Sequence, residues 1–101
     1  MLLYNTTFHI EEDIRDSFLI WLKEAYIHEV IKSGLLTNPR LYKVLSHKEP
    51  GHESYCLQWD VDNSSILHQW HSTQGAALNE EIPRIFKDKV LCIPTLMEAM
   101  E

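Results

Sequence analysis

Residues 40–61 read RLYKVLSHKEPGHESYCLQWDV, two β-type runs joined across Glu49-Pro50-Gly51-His52. Pro50 pre-sets φ at the first central position of a turn, and Gly51 supplies the positive φ needed at the second. The pattern predicts a strand from Arg40 to Ser46 and another from Ser54 to about Val61. With Pro50 and Gly51 as the two loop residues, Tyr42 faces Trp59, Val44 faces Leu57 and Ser46 faces Tyr55. The same register sets Lys43 beside Gln58, Leu45 beside Cys56 and Leu41 beside Asp60. One face is then aromatic and aliphatic, the other mixed. A slip of one residue would exchange the two faces.

Upstream, Leu2 to Ile10 contains neither Gly nor Pro and reads as a strand. Leu2, Tyr4, Phe8 and Ile10 share one side; Leu3, Asn5, Thr7 and His9 share the other. Glu11, Glu12 and Asp13 place negative charge where a helix N-terminus favours it. Ile14, Phe18, Trp21, Leu22, Ala25 and Glu29 recur at helical spacing, and Ser33-Gly34 ends the run with Lys32 in the last turn. Asn38-Pro39 then reads as a turn. Downstream, Asp62, Asn63 and Ser64 offer N-caps to a second helix with the stripe Ile66, Leu67, Trp70, Ala77 and Leu78. Gly75 weakens its middle. Pro83 predicts a stop near Glu81 or a restart as a short turn through Arg84-Ile85-Phe86. Lys89 to Leu96 is the last strand, and Pro94 points to an edge, a bulge or the strand's end.

Strand, helix, hairpin, helix, strand is the β-α-β-β-α-β order of a ferredoxin-like two-layer α+β sandwich. It predicts one domain over residues 1–101, with a four-stranded antiparallel sheet and both helices on one face. Right-handed crossovers are expected to put the first and last strands in the middle. The helix-side face takes Tyr4, Phe8, Tyr42, Val44, Leu57 and Trp59. The other carries Leu3, Leu41, Leu45 and Cys56 among Asn5, Thr7, His9, Lys43, Gln58 and Asp60. That face is too apolar to be simply wetted and too polar to be a dry core. Pairing it with a second copy would bury the apolar members around a partly polar cavity, so a homodimer is expected.

Composition agrees. With 101 residues, 45% of them hydrophobic, the chain can build one core. A domain this small buries only somewhat above ~60% of its unfolded surface and gains from association. The net charge of −6, with no cluster of Lys and Arg among aromatics, argues against nucleic-acid binding. No apolar run is long enough to span a bilayer. The N-terminal residues lack a basic stretch followed by a cleavage site, and a cytoplasmic protein is expected. Cys56 and Cys92 read as reduced core thiols.

The candidate pocket or interface residues are Asn5, His9, Tyr26, His28, Lys43 and Gln58. His9, Asn5, Lys43 and Gln58 share the mixed face, where they would line a cavity or knit an interface. His28 continues the line Ile14, Phe18, Trp21, Ala25 and would point toward the core side or a pocket, as an acid–base group or as a hydrogen-bonded core histidine. Tyr26 is a candidate proton donor or ligand clamp. His68 and His71 stand i, i+3 on a helix beside the apolar stripe, which favours solvent over a metal. His47 and His52 bracket the Pro-Gly turn, an exposed loop by preference. No metal site, cofactor or catalytic residue is assigned, and no phosphate loop or nucleophile motif is present. The expected function is small-molecule binding in a cavity between helices and sheet or between facing sheets, cofactor-independent catalysis included. The alternative is a non-catalytic dimerisation module.

Four segments carry a resemblance. They are Leu3-Tyr4-Asn5-Thr6-Thr7, Trp21-Leu22-Lys23-Glu24…Ile27-His28-Glu29-Val30 ending at Ser33-Gly34, Ser54-Tyr55-Cys56-Leu57-Gln58-Trp59, and Phe86…Lys89-Val90…Thr95-Leu96. Together they resemble a small bacterial domain-of-unknown-function family, number 4286, within the dimeric α+β barrel group. The resemblance implies the fold and a dimer more than any activity. The wider group holds haem-degrading and polyketide monooxygenases, muconolactone isomerases and chlorite-dismutase relatives, so fold does not select a chemistry. Where the family's first helix commonly reads His-Ile-Pro, this chain has Tyr26-Ile27-His28. Ile82 stands for a late histidine and Pro94 for an arginine of the last strand, which removes any inherited proton-transfer role there.

Overall fold

Ten residues of unbroken extended chain, Leu2–Glu11, form β1, and every other element is placed relative to it. The computed structural model describes residues 1–101. After β1 come α1 (residues 15–33), β2 (Thr37–Lys43), β3 (His52–Val61), α2 (residues 64–86) and β4 (Val90–Glu98). All strand pairs are antiparallel and the order is β2-β3-β1-β4, the ferredoxin-like arrangement. The middle strands are therefore the first and third, not the first and last as expected. The hairpin partner β3 lies beside β1, and β4 takes the far edge. There Pro94, opposite Thr6, can lack a ladder donor on one side at no cost to a central pairing.

The core is the helix-side face of the sheet. Phe8, Ile10, Leu57, Trp59 and Val61 meet Phe18, Leu22 and Val30 of α1 and Trp70, Ile82 and Phe86 of α2. Phe18 is the hub of an aromatic cluster, edge-on to Phe8 at 5.2 Å and to Phe86 at 5.4 Å. Such pairs add ~0.5–1.5 kcal/mol to the burial of the rings themselves.

Both helices contain a π turn, at Leu22–Tyr26 and at His71–Gly75. A π turn adds one residue to the local repeat. In α1 the buried residues consequently step by four, Phe18, Leu22, Tyr26 and Val30, instead of following Trp21, Ala25 and His28. In α2 the π turn ends at Gly75, where an added Cβ would meet the Trp70 ring at 2.7–2.9 Å. Glycine there is a packing requirement. Asn63 caps α2 with its Oδ1, 3.0 Å from the Ile66 amide. Gly34 ends α1 at φ 70°. Pro83 does not stop α2, which runs on to Phe86. Burial of Ile82 and Phe86 on either side of Pro83 outweighs the missing N–H in this last turn.

The hairpin differs most from expectation. Its turn forms, with His52 N–H donating to the Glu49 carbonyl (3.0 Å) and Gly51 at φ 81°. Yet β2 already ends at Lys43, so residues 44–51 make a longer connection. Leu41 faces Leu57, Tyr42 faces Cys56, Lys43 faces Tyr55 and Arg40 faces Gln58. The shift is an odd number of residues, and it exchanges the faces of β2. A register irregularity between Thr37 and Arg40, with Asn38 at φ 55°, accommodates it.

Candidate functional site

The open face of the sheet is a row of alternate residues with no layer above it. On β1 it carries Leu3, Asn5, Thr7 and His9, and on β3 Ser54, Cys56 and Gln58. On β4 it carries Leu91, Ile93, Thr95 and Met97. Leu91, Ile93 and Tyr42 are 58%, 49% and 52% exposed, whereas Asn5 at the centre is only 7% exposed. Asn5 Nδ2 donates to Thr7 Oγ1 at 3.1 Å, but its Oδ1 is buried with no partner. An orphaned amide oxygen costs ~1–3 kcal/mol. Gln58 lies directly across from Asn5, between it and Arg40 of β2.

At the hairpin end of this face, His9 packs flat against His52, with ring centroids 4.9 Å apart and an interplanar angle of 4°. His9 Nδ1 contacts Ser54 Oγ at 2.8 Å and its Nε2 contacts Glu49 Oε2 at 3.0 Å. These groups line a polar recess of about 280 Å³ closed by the 44–51 connection.

Lys43 does not join them on the open face. The register shift turns it to the other side at the sheet edge, where its Nζ lies 3.6 Å from Glu53. Glu53 also takes Arg15 at 2.9 Å and the Tyr55 hydroxyl at 2.5 Å. The hydroxyl above all holds the Glu53 carboxyl below the ordinary carboxylate range; burial opposes it, and Arg15 and Lys43 add to the lowering. Burial first, and the carboxylate second, push the Tyr55 phenol up to about 12.

His28 is exposed on the outer face of α1, a correction that follows from the π turn just before it. Tyr26 takes the inward position instead. Only 3% exposed, it donates through its hydroxyl to Asn79 Oδ1 of α2 at 3.1 Å, and burial raises its pKa above the ordinary phenol range. Asn79 lines a cleft of about 320 Å³ between α2 and the β4 side of the sheet. Tyr4, Thr6 and Cys92 form its floor, with Ile82 and Pro83 on the helix wall. Neither cysteine is a core thiol: Cys56 lies on the open face and Cys92 on the edge strand. Cys92 keeps surface in water, yet the cleft walls desolvate its thiol and push it up to about 11. Trp70, edge-on to Tyr4 at 6.1 Å, has its indole Nε1 buried with no partner.

Among the residues expected at a site, Asn5 and Gln58 are brought together and His9 shares their face. Tyr26 touches Asn79 of a different cavity, Lys43 borders the His9–His52 recess from the sheet edge, and His28 joins neither. Asn79, Thr6 and Cys92 were not anticipated. The one signal for Asn79 is its place one turn before the buried Ile82, which periodicity alone does not distinguish from a surface position.

The family model for a domain of unknown function, DUF4286, matches residues 1–100, and the chain belongs to that family. No curated protein matches it in sequence. Among solved structures it is similar to an antibiotic biosynthesis monooxygenase, with 18% identity, full coverage of both chains and a TM-score of 0.70. It is also similar to a mutant of MhuD with two manganese protoporphyrin IX bound per active site, at 10% identity, covering 100% of this chain and 96% of that one, TM-score 0.73. A third is a dimeric ferredoxin-like protein from an uncultured marine organism, at 11% identity, covering 98% and 95%, TM-score 0.63. At these identities the likeness is one of fold. No helix is long and apolar enough to cross a membrane.

Proposed function

We propose that the chain is a homodimer joined through its open sheet face, and that each protomer binds a small, largely apolar molecule between α2 and β4. The observation that carries the ligand reading is the cleft of about 320 Å³, at the lower end of the size range of small-molecule sites. Its walls are mostly apolar, and Tyr26 fixes the Asn79 amide by occupying its oxygen. The Asn79 NH2 then remains to meet an acceptor on the ligand, with Thr6 as a second polar contact. The exposed apolar side chains of Leu91, Ile93 and Tyr42 support pairing of the open faces. Asn5, Gln58 and His9 are assigned to that interface.

A thermal-shift series with 1-naphthol, naphthoic acid and hemin tests the ligand reading, with Cys92→Phe as a variant that fills the cleft from its exposed edge. Stabilisation of the native protein by one of the bicyclic aromatics, abolished in Cys92→Phe, is the expected result. No shift with any of the three compounds, in a protein that light scattering shows to be a dimer, would leave the non-catalytic dimerisation module as the reading. A monomer at micromolar concentration would overturn the dimer.

A further inference from the structure

We propose that His9, Glu49 and His52 form a binding site for a divalent transition-metal ion such as Zn2+. The topology sets this up. His9 faces Ser54 across the β1–β3 ladder, and His52 lies two residues before Ser54, so the two imidazoles are diagonal neighbours on one face. Glu49 precedes His52 by three residues, and the hydrogen-bonded Pro50-Gly51 turn brings its carboxylate back over them. The Glu12 amide donates to the Gly51 carbonyl at 2.9 Å, tying the turn to the end of the strand that carries His9.

One donor atom from each residue lies within 4.8 Å of the others. Ligand atoms on a tetrahedral ion at ~2.1 Å stand ~3.4 Å apart, so only a modest side-chain adjustment is required. The His9–Glu49 contact at 3.0 Å is already shorter than that, and His52 Nδ1 stands 3.8 Å from the other carboxylate oxygen. A proton on His9 Nε2 can bridge His9 and Glu49, while His52 Nδ1 meets the Pro50 carbonyl at 3.3 Å. A single cation serves both imidazoles and the carboxylate.

Ser54 has the place of an outer-shell partner. Its Oγ, 2.8 Å from His9 Nδ1, can accept the proton of that nitrogen and leave Nε2 as the ligand atom. Two imidazoles and one carboxylate suit zinc and its first-row neighbours rather than calcium or magnesium, which prefer oxygen. Three protein ligands also leave room for a water or an anion in the recess, where Lys43 and Lys48 are near.

Isothermal titration of untagged, chelator-treated full-length protein with Zn2+ tests the site, with Co2+ absorption to report nitrogen ligation. One Zn2+ per chain and a dissociation constant in the micromolar range or tighter are expected. His9→Ala and His52→Ala should each weaken binding by about tenfold or more, with the circular-dichroism spectrum unchanged. The double variant His68→Ala/His71→Ala, which removes the other close histidine pair, should leave binding as it was. Absence of saturable binding below ~1 mM, or binding that survives His9→Ala and His52→Ala together, would overturn the proposal. Glu49→Gln is a second check that does not alter the strands: unchanged Zn2+ affinity in that variant would remove the carboxylate from the site.

Discussion

On the helix-covered face of the sheet, Phe8, Ile10, Leu57 and Trp59 keep 2% or less of their surface in water. On the open face, Tyr42, Leu91 and Ile93 keep about half, while the polar Asn5 between them keeps 7%. The covered residues lie on the central strands β1 and β3, whereas Tyr42, Leu91 and Ile93 lie on the edge strands β2 and β4, so the contrast combines face with place in the sheet. The covered face is stabilised by area, and many apolar side chains would serve. The open face depends on a few specific groups, and its central amide oxygen lacks a partner within the chain. The helix-covered face is closed within one copy, while the other leaves Tyr42, Leu91 and Ile93 half exposed.

Several substitutions break or sharpen this contrast. The largest effect belongs to the covered face: Leu57→Ala should lower unfolding free energy by ~2–5 kcal/mol in urea denaturation. Gly75→Ala, which drives a methyl into the Trp70 ring, should cost ~1–3 kcal/mol by overpacking. On the open face, Ile93→Lys should leave the fold of each chain intact and raise the dissociation constant of the proposed dimer at least tenfold, read by light scattering against concentration. Asn5→Val should stabilise by ~1 kcal/mol with or without Ile93→Lys, read by urea denaturation, since an unpaired oxygen already buried within one chain is removed.

The smallest effect concerns acid. The Glu53 carboxyl is held below its ordinary range in the fold, so its contribution is fully present above the unfolded value. It is lost as the pH falls through the folded value. Glu53→Gln should therefore flatten the loss of stability between neutral pH and the region below the ordinary glutamate range, in urea melts at several pH values.

The element order and the helix-side residues of β1 and β3 were legible because alternation over ten residues leaves little choice of face. The parity of β2 was not. Pro50-Gly51 announces a turn, but nothing in residues 44–48 says whether they extend the strand or loop away from it. A shift by an odd number there moved Lys43 off the open face and put Tyr42 on it. His28 was misplaced for a different reason, since a stripe drawn at 3.6 residues per turn cannot foresee a π turn. Pro83 shows the same limit in reverse: local propensity ends the helix, and the burial of Phe86 carries it further. The His9–Glu49–His52 grouping depends on strand register and the return of the turn, which only three dimensions supply.

The π turn of α1 makes this helix tolerant of a change in length at one place. Deleting one residue among 23–25 would return the turn to the regular α-helical repeat, with Phe18, Leu22, Tyr26 and Val30 still on one face. The Tyr26 hydroxyl would stay beside Asn79. The same deletion among residues 27–29, outside the π turn, would rotate Val30 by about 100° off that face. The helix thus carries its spare residue where losing it disturbs the packing least, and differences in length between related chains are expected there.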